Sequence, residues 1–279
     1  MALPPTSSGI PDILARIVER RREHLRIARA GSATRTPPVD PPRGAELLTP
    51  ATNPFLAGLE ARRGAAVIAE IKLGSPSLGS LVGTFDPVAR AEAYKRGGAA
   101  CLSVVVEPDF FFGDYRILTR CVEATGLPAI AKDFVVDPLQ LEWAKSAGAE
   151  AVLLIAALYT AAELRDYAEQ ARGLGLVPLI ETHDPADVSK LDGGQWELVG
   201  VNNRDLRTFT VDLDTSRGLQ PTLPAEAYKV AESGIKTAGD VSSLRAAGFD
   251  AYLIGETLVK SGDPRATLEG LLGHGAGAP

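Results

Sequence analysis

The chain has 279 residues, 45% of them apolar and 23% charged, and a formal net charge of −6. That composition supports a sizeable buried core, and the acidic balance argues against a nucleic-acid binder, which carries a basic patch or stripe. Apolar runs stop far short of the ~20 residues that span a bilayer, so no membrane span is expected.

The N-terminus, MALPPTSSGIPDIL, has neither a basic n-region nor an apolar h-region, so no signal peptide is expected. Residues 1–10 read as a disordered tail, 11–64 as a helical extension with a connector, and 65–279 as one barrel domain. In PDILARIVERRREHLRIARA (11–30), Ile13, Leu14, Ile17, Val18 and Leu25 fall at helical spacing. Its RRRE run (20–23) reads as a solvated helix face. ATRTPPVDPPRG is a Pro-rich connector.

From residue 65 short apolar runs alternate with amphipathic stretches. The runs are AAVIAEIK (65–72), CLSVVV (101–106), AIAKDF (129–134), AVLLIAAL (151–158), VPLIETH (177–183), LVGVNNRD (198–205), YKVAESGI (228–235) and AYLIGE (251–256). Little alternation within them implies strands buried on both faces, hence a parallel sheet. The intervening stretches, such as DPVARAEAYKRGG and TAGDVSSLRAAGF, open on Asp or Thr and close on Gly, as helix caps favour. Eight such units predict an α/β fold, a closed (β/α)8 TIM barrel with an N-terminal helical extension. A doubly wound sheet would show a Gly-rich dinucleotide turn after its first strand, and none is present.

Polar residues gather where these strands end: Glu70 and Lys72, Lys132, Glu181, Asn202 with Asn203 and Arg204, Glu232 with Ser233, and Gly255 with Glu256. In a barrel those ends converge on the face that carries chemistry. Residues i and i+2 share a face at about 6.6 Å, so Glu70 with Lys72, and Asn202 with Arg204, can line one pocket. Charges there must pair with one another or meet a charged ligand.

Lys72, Lys132 and Arg204 suit a substrate with two negative centres. Gly234 and Gly255 begin the last two loops, where barrels build phosphate sites, and Ser75, Ser77 and Ser233 can add hydroxyl donors. A lysine among glutamates in one dry pocket suits proton transfer. His183 reads as a supporting residue, and Cys101 and Cys121 as small core residues. Two cysteines with no CxxC or Cys/His cluster suggest neither a disulfide framework nor a metal. The expected compartment is the reducing cytoplasm.

The motifs IAEIKLGSPSLG, AKDFVVDPLQ, GAEAVLLIAALY, LIETH, VGVNNRDLRTF, VAESGI and LIGETLV occur in that order. From about residue 11 to 272 the chain resembles indole-3-glycerol phosphate synthases. The resemblance implies a cofactor-free ring closure of 1-(2-carboxyphenylamino)-1-deoxyribulose 5-phosphate, with loss of CO2 and water. It implies Lys132 as general acid and Glu181 as base of the dehydration. Glu70 and Lys72 would assist proton transfer and hold the substrate anion. Asn202 and Arg204 would orient the anthranilate half, Glu232 and Ser233 would complete the wall, and Gly234, Gly255 and Glu256 would mark the phosphate end.

Five positions depart from the family's pattern. Leu73 and Leu78 stand where basic residues are usual, Val105-Val106-Glu107 replaces a Leu-Thr-acid strand end, and Asp114 replaces a Ser. This drift leaves open a specialised variant acting on a substituted anthranilate derivative. Phosphoribosylanthranilate isomerase is a weaker reading, because Cys101 opens its strand rather than ending it. A barrel that only binds a sugar phosphate would not need both Lys132 and Glu181. The expected partner is a small phosphorylated substrate, with neither nucleic acid nor membrane, and the chain is expected to be a monomer or weak homo-oligomer.

Overall fold

The computed structural model describes residues 12–31 and 46–273. The predicted tail and the Pro-rich connector lie outside the described residues. Eight parallel strands close on themselves. They are β1 (Ala66–Ile71), β2 (Cys101–Val105), β3 (Ala129–Lys132), β4 (Ala151–Ile155), β5 (Val177–Thr182), β6 (Leu198–Asn202), β7 (Tyr228–Glu232) and β8 (Ala251–Ile254). Each strand pairs with its neighbours in sequence, and β1 closes the ring on β8 through Ala66 opposite Ala251 to Ala69 opposite Ile254.

The strands read as apolar throughout because both faces are dry. Outward residues such as Val67, Ala69, Leu102, Val104, Val199 and Val201 pack under the helices. Inward residues such as Ile68, Ile130, Leu153, Leu179, Leu198, Val230 and Leu253 fill the barrel. Stacked inward side chains make such a barrel a packed core rather than a pore.

The helices are α1 (Asp12–Gly31), α2 (Pro54–Glu60), α3 (Pro87–Arg96), α4 (Tyr115–Thr125), α5 (Leu139–Ser146), α6 (Ala161–Gly173), α7 (Pro185–Ser189), α8 (Asp214–Leu219), α9 (Ala238–Ala246), α10 (Glu256–Val259) and α11 (Pro264–Leu271). Many start as the sequence predicts. Asp86, Asp114, Asp184 and Asp263 each accept a backbone N–H of the following helix. Thr160 and Thr237 form full capping boxes. Asp114 therefore keeps a capping function at its altered position.

α2 seals the barrel end away from the polar rim. Its Phe55, Leu56 and Leu59 join the interior cluster. Asn53 caps it at Phe55 and Leu56 (2.9 and 3.1 Å) while donating to the carbonyls of Glu150 and Gly175 (2.9 and 3.1 Å).

α1 lies at the opposite end, and here one expectation is corrected. The RRRE run is not simply a solvated face. Arg21 is buried and pairs with buried Asp133, which also accepts from Tyr115 Oη and Gln140 Nε2 (both 2.9 Å). Arg20 reaches Asp109 (3.2 Å) and Arg29 reaches Asp137 (2.6 Å). The acids lie on the loops after β2 and β3, so tertiary pairing decides which arginines meet water.

Candidate active site

Period-two alternation puts Glu70, Lys132, Glu181, Asn202, Glu232 and Gly255 at the inward-facing top of six strands, level with Val105 and Ile155. Register locks this layer: Ile155 sits opposite Glu181, Val105 opposite Lys132, and Asn202 opposite Glu232. Above it opens a cavity of about 530 Å³, within the range of small-molecule sites.

Lys132 is the hub. Its Nζ lies 3.0 Å from Glu232, 3.6 Å from Glu70 and 3.7 Å from Glu181. Glu70 is shared with Lys72 at 2.8 Å. Burial opposes charge on Lys132, but the three carboxylates outweigh it and hold the ammonium protonated well above the usual lysine range. Burial also pushes Glu70 up, and the two lysines bring it below the ordinary carboxylate value.

Glu181 and Glu232 are driven apart. Burial raises Glu181, but His183 and Lys132 pull it down. Burial raises Glu232, Lys132 only partly offsets this, and the neighbouring Glu181 charge adds to the rise. The two buried carboxylates are thus shifted to opposite sides of the ordinary value by their surroundings.

Glycine makes room for this packing. A Cβ on Gly255 would stand 2.2 Å from Glu70 Oε1, and one on Gly200 would stand 2.2 Å from Glu232 Oε1. Gly255, expected at the phosphate end, thus also accommodates the floor.

On the side of the last two loops, Ser233 and Gly234 both take positive φ (67° and 81°). Left-handed backbone at a non-glycine residue is strained and is characteristic of ligand clamps. Arg204 Nη2 meets Glu256 at 2.8 Å, and Lys260 meets the same carboxylate at 2.6 Å. Ser75 and Ser77 line the cavity from the loop after β1, with hydroxyls 3.2 Å apart. Asn202 faces the cavity and accepts the Arg204 N–H at 3.0 Å. Asn203 points the other way, donating to the carbonyls of Glu232 and Ser233 (2.9 and 3.1 Å), and is a staple between strands.

The predicted residues therefore meet at one cavity, with Glu232 forming its buried underside. The resemblance implies that the N-terminal extension covers the mouth of the barrel, and Ile13, Leu14 and Ile17 of α1 are the residues that form an apolar wall there. Sequence reasoning undervalued one contribution. His183 was seen only as a supporting residue, yet its Nε2 lies 3.2 Å from Glu181 Oε1.

Comparison with known proteins fits this geometry. A family profile described as "Indole-3-glycerol phosphate synthase" matches residues 14–271. The chain belongs to the indole-3-glycerol phosphate synthase family. It is 42% identical to the indole-3-glycerol phosphate synthase of Desulfotalea psychrophila over 252 residues, covering 90% of this chain and 95% of that one. It is 42% identical to that of an Azoarcus species over 267 residues, covering 94% and 99%. Members of the family are carboxy-lyases of tryptophan biosynthesis, and this chain is one of them. Among solved structures, a mutant tryptophan synthase alpha-subunit from Pyrococcus furiosus superposes with a TM-score of 0.59 at 15% identity, covering 76% of this chain and 99% of that one. That likeness speaks for the barrel alone.

One more departure from the family pattern, Val106, can now be located, together with the acid that follows it. Val106 is buried in the outer core. Glu107 accepts the N–H groups of Asp109, Phe110 and Phe111 (3.0, 2.7 and 3.0 Å), tying down the loop that meets α1.

Proposed function

We propose that Lys132 is the general acid and Glu181 the base in ring closure of 1-(2-carboxyphenylamino)-1-deoxyribulose 5-phosphate to indole-3-glycerol phosphate. The ring carbon bearing the carboxylate attacks the ketone carbon. Lys132 gives its proton to the ketone oxygen, which becomes a hydroxyl. CO2 leaves and returns its electron pair to the ring. Glu181 then takes a proton from the methylene beside nitrogen, and a proton from the same cluster leaves with the hydroxyl as water. The cluster ends the cycle one proton short and recovers it from solvent.

The observation that carries this reading is Lys132 held within 3.0–3.7 Å of three buried carboxylates at the base of the cavity. That setting keeps a proton on the lysine beside groups that can resupply it. Glu70 holds Lys72 toward the substrate carboxylate, Glu232 supports Lys132 from below, and Asn202 and Arg204 orient the linker and aromatic half. Ser75, Ser77, Ser233, Gly234, Gly255 and Glu256 surround the remaining anionic end, where backbone N–H groups favour phosphate. The apolar face of α1 suits the aromatic ring.

The test is direct. Mixed with this substrate, without metal or nucleotide, the protein is expected to generate indole absorbance and fluorescence. Lys132→Met is expected to cut turnover by about 10²–10⁴-fold, the range for a positioned acid, while substrate still binds. Because that change removes the shared cation, circular dichroism should accompany it. Turnover like wild type in a folded Lys132→Met protein overturns the assignment.

We infer also that the chain works as a monomer or weak homo-oligomer in the cytoplasm. Both cysteines are free and buried, as a reducing compartment allows. No described helix is long and apolar enough to cross a membrane. Sedimentation at micromolar concentration tests the first point, and fractionation tests the second.

A further inference from the structure

Glu181 has an unequal claim on Lys132. The lysine lies nearest Glu232, and Glu181 is its most distant carboxylate at 3.7 Å, through Oε2. The other oxygen, Oε1, lies 3.2 Å from His183 Nε2, an ion-pair contact rather than an aligned hydrogen bond. The imidazole is therefore the nearer cationic partner of Glu181. It follows from the strand: residue 183 shares the inward face with residue 181, one step further out.

The ring is anchored from behind. His183 Nδ1 and its backbone N–H lie on Asp187 Oδ2 at 3.3 and 3.1 Å. Asp187, in the first turn of α7, also holds Lys190 on its other oxygen at 3.2 Å. Lys190 in turn donates to the Ala156 carbonyl at the end of β4 (2.8 Å). The row Glu181–His183–Asp187–Lys190 thus alternates in charge, and its first three side chains are almost fully buried.

We propose that His183, braced by Asp187, is a positioning residue that fixes the carboxylate of Glu181, holding one oxygen so that the other faces Lys132 and the reacting atoms. This rests on Glu181 being the base. Held between two carboxylates, the imidazole stays protonated, with its pKa raised to about 10 although burial opposes the charge. The groups acting on it are Glu181 from β5, Asp187 on α7, and Asp205 from the loop after β6 at longer range. Lys190 acts through Asp187, and Lys132 lies across Glu181.

The experiment compares kcat, KM and the pH dependence of kcat in wild type, His183→Gln, His183→Ala, Asp187→Asn and Glu181→Gln. His183→Ala is expected to lower kcat at least tenfold with KM within about twofold. His183→Gln, which keeps an N–H donor, should recover part of that loss. In both, Glu181 loses a cation, so the acid limb of kcat moves to higher pH. In Asp187→Asn the imidazole loses a flanking charge, so the alkaline limb moves to lower pH. A merely structural role would lower stability without moving either limb.

If His183→Ala misfolds, the Asp187→Asn profile decides alone. Wild-type kcat and unmoved limbs in these variants, with Glu181→Gln inactive, overturn the proposal and leave the base assignment standing. An active Glu181→Gln removes the base assignment itself.

Discussion

Gly255→Ala isolates how rigid the floor of the cavity is. The backbone there has φ −116°, which alanine adopts without strain. The three atoms nearest the new methyl would all belong to Glu70, at 2.2 Å for Oε1, 2.9 Å for Cδ and 3.2 Å for Cβ. Ordinary contact begins near 3.4 Å, so the carboxylate must move by more than an ångström. Its movement opens the 2.8 Å pair with Lys72 and shifts one of the three carboxylates around Lys132. A misplacement of about 1 Å can cost on the order of 10²-fold in rate, and overpacking a filled site costs about 1–3 kcal/mol. The assay is steady-state indole fluorescence for kcat, urea unfolding for stability, and competition by inorganic phosphate for the anion end. A floor effect lowers kcat while phosphate affinity holds. Gly270→Ala, in open space on α11, is the control and should be neutral or up to about 1 kcal/mol more stable. If kcat of Gly255→Ala stays within twofold of wild type, the floor is compliant and the geometric account of the acid–base cluster fails.

Arg21→Ala leaves Asp133 buried without its cation; loss of one partner of such a pair costs about 3–5 kcal/mol, read by urea unfolding, with the lower end expected because Tyr115 and Gln140 still donate. Asn53→Ala removes four hydrogen bonds at the sealed end of the barrel and should cost about 2–3 kcal/mol with kcat unchanged. His183 has a folded-state pKa of about 10 against 6.5 unperturbed. Its stabilising share is therefore fully present below pH ~6.5 and is lost as pH rises through about 10. The stability gap between wild type and His183→Gln should follow that course in urea titrations at stepped pH.

The strands were legible because closure buries both of their faces. Continuous apolar runs punctuated by capped helices admit few other architectures, and the acids and bases at their ends mark the working rim. The in–out order along each strand also followed from the pleat: Glu70 and Lys132 inward, Ile71 outward. It separates Asn202, in the cavity, from Asn203, which staples β6 to β7.

Partner choice was not legible. Nothing in RRRE says that Arg21 is buried while Arg22 is exposed, because the acid that selects Arg21 lies more than a hundred residues away. Likewise LIETH shows a glutamate and a histidine on one face, but not that Asp187 turns the ring toward Glu181. The sequence alone determined the barrel, its rim and the residue types there, since burial and alternation are local in the chain. Only the tertiary structure decided which charges share a counter-ion, which glycine makes room for which carboxylate, and so which acid is held charged and which is raised. Those depend on distances of a few ångströms between strands that no spacing along the chain encodes.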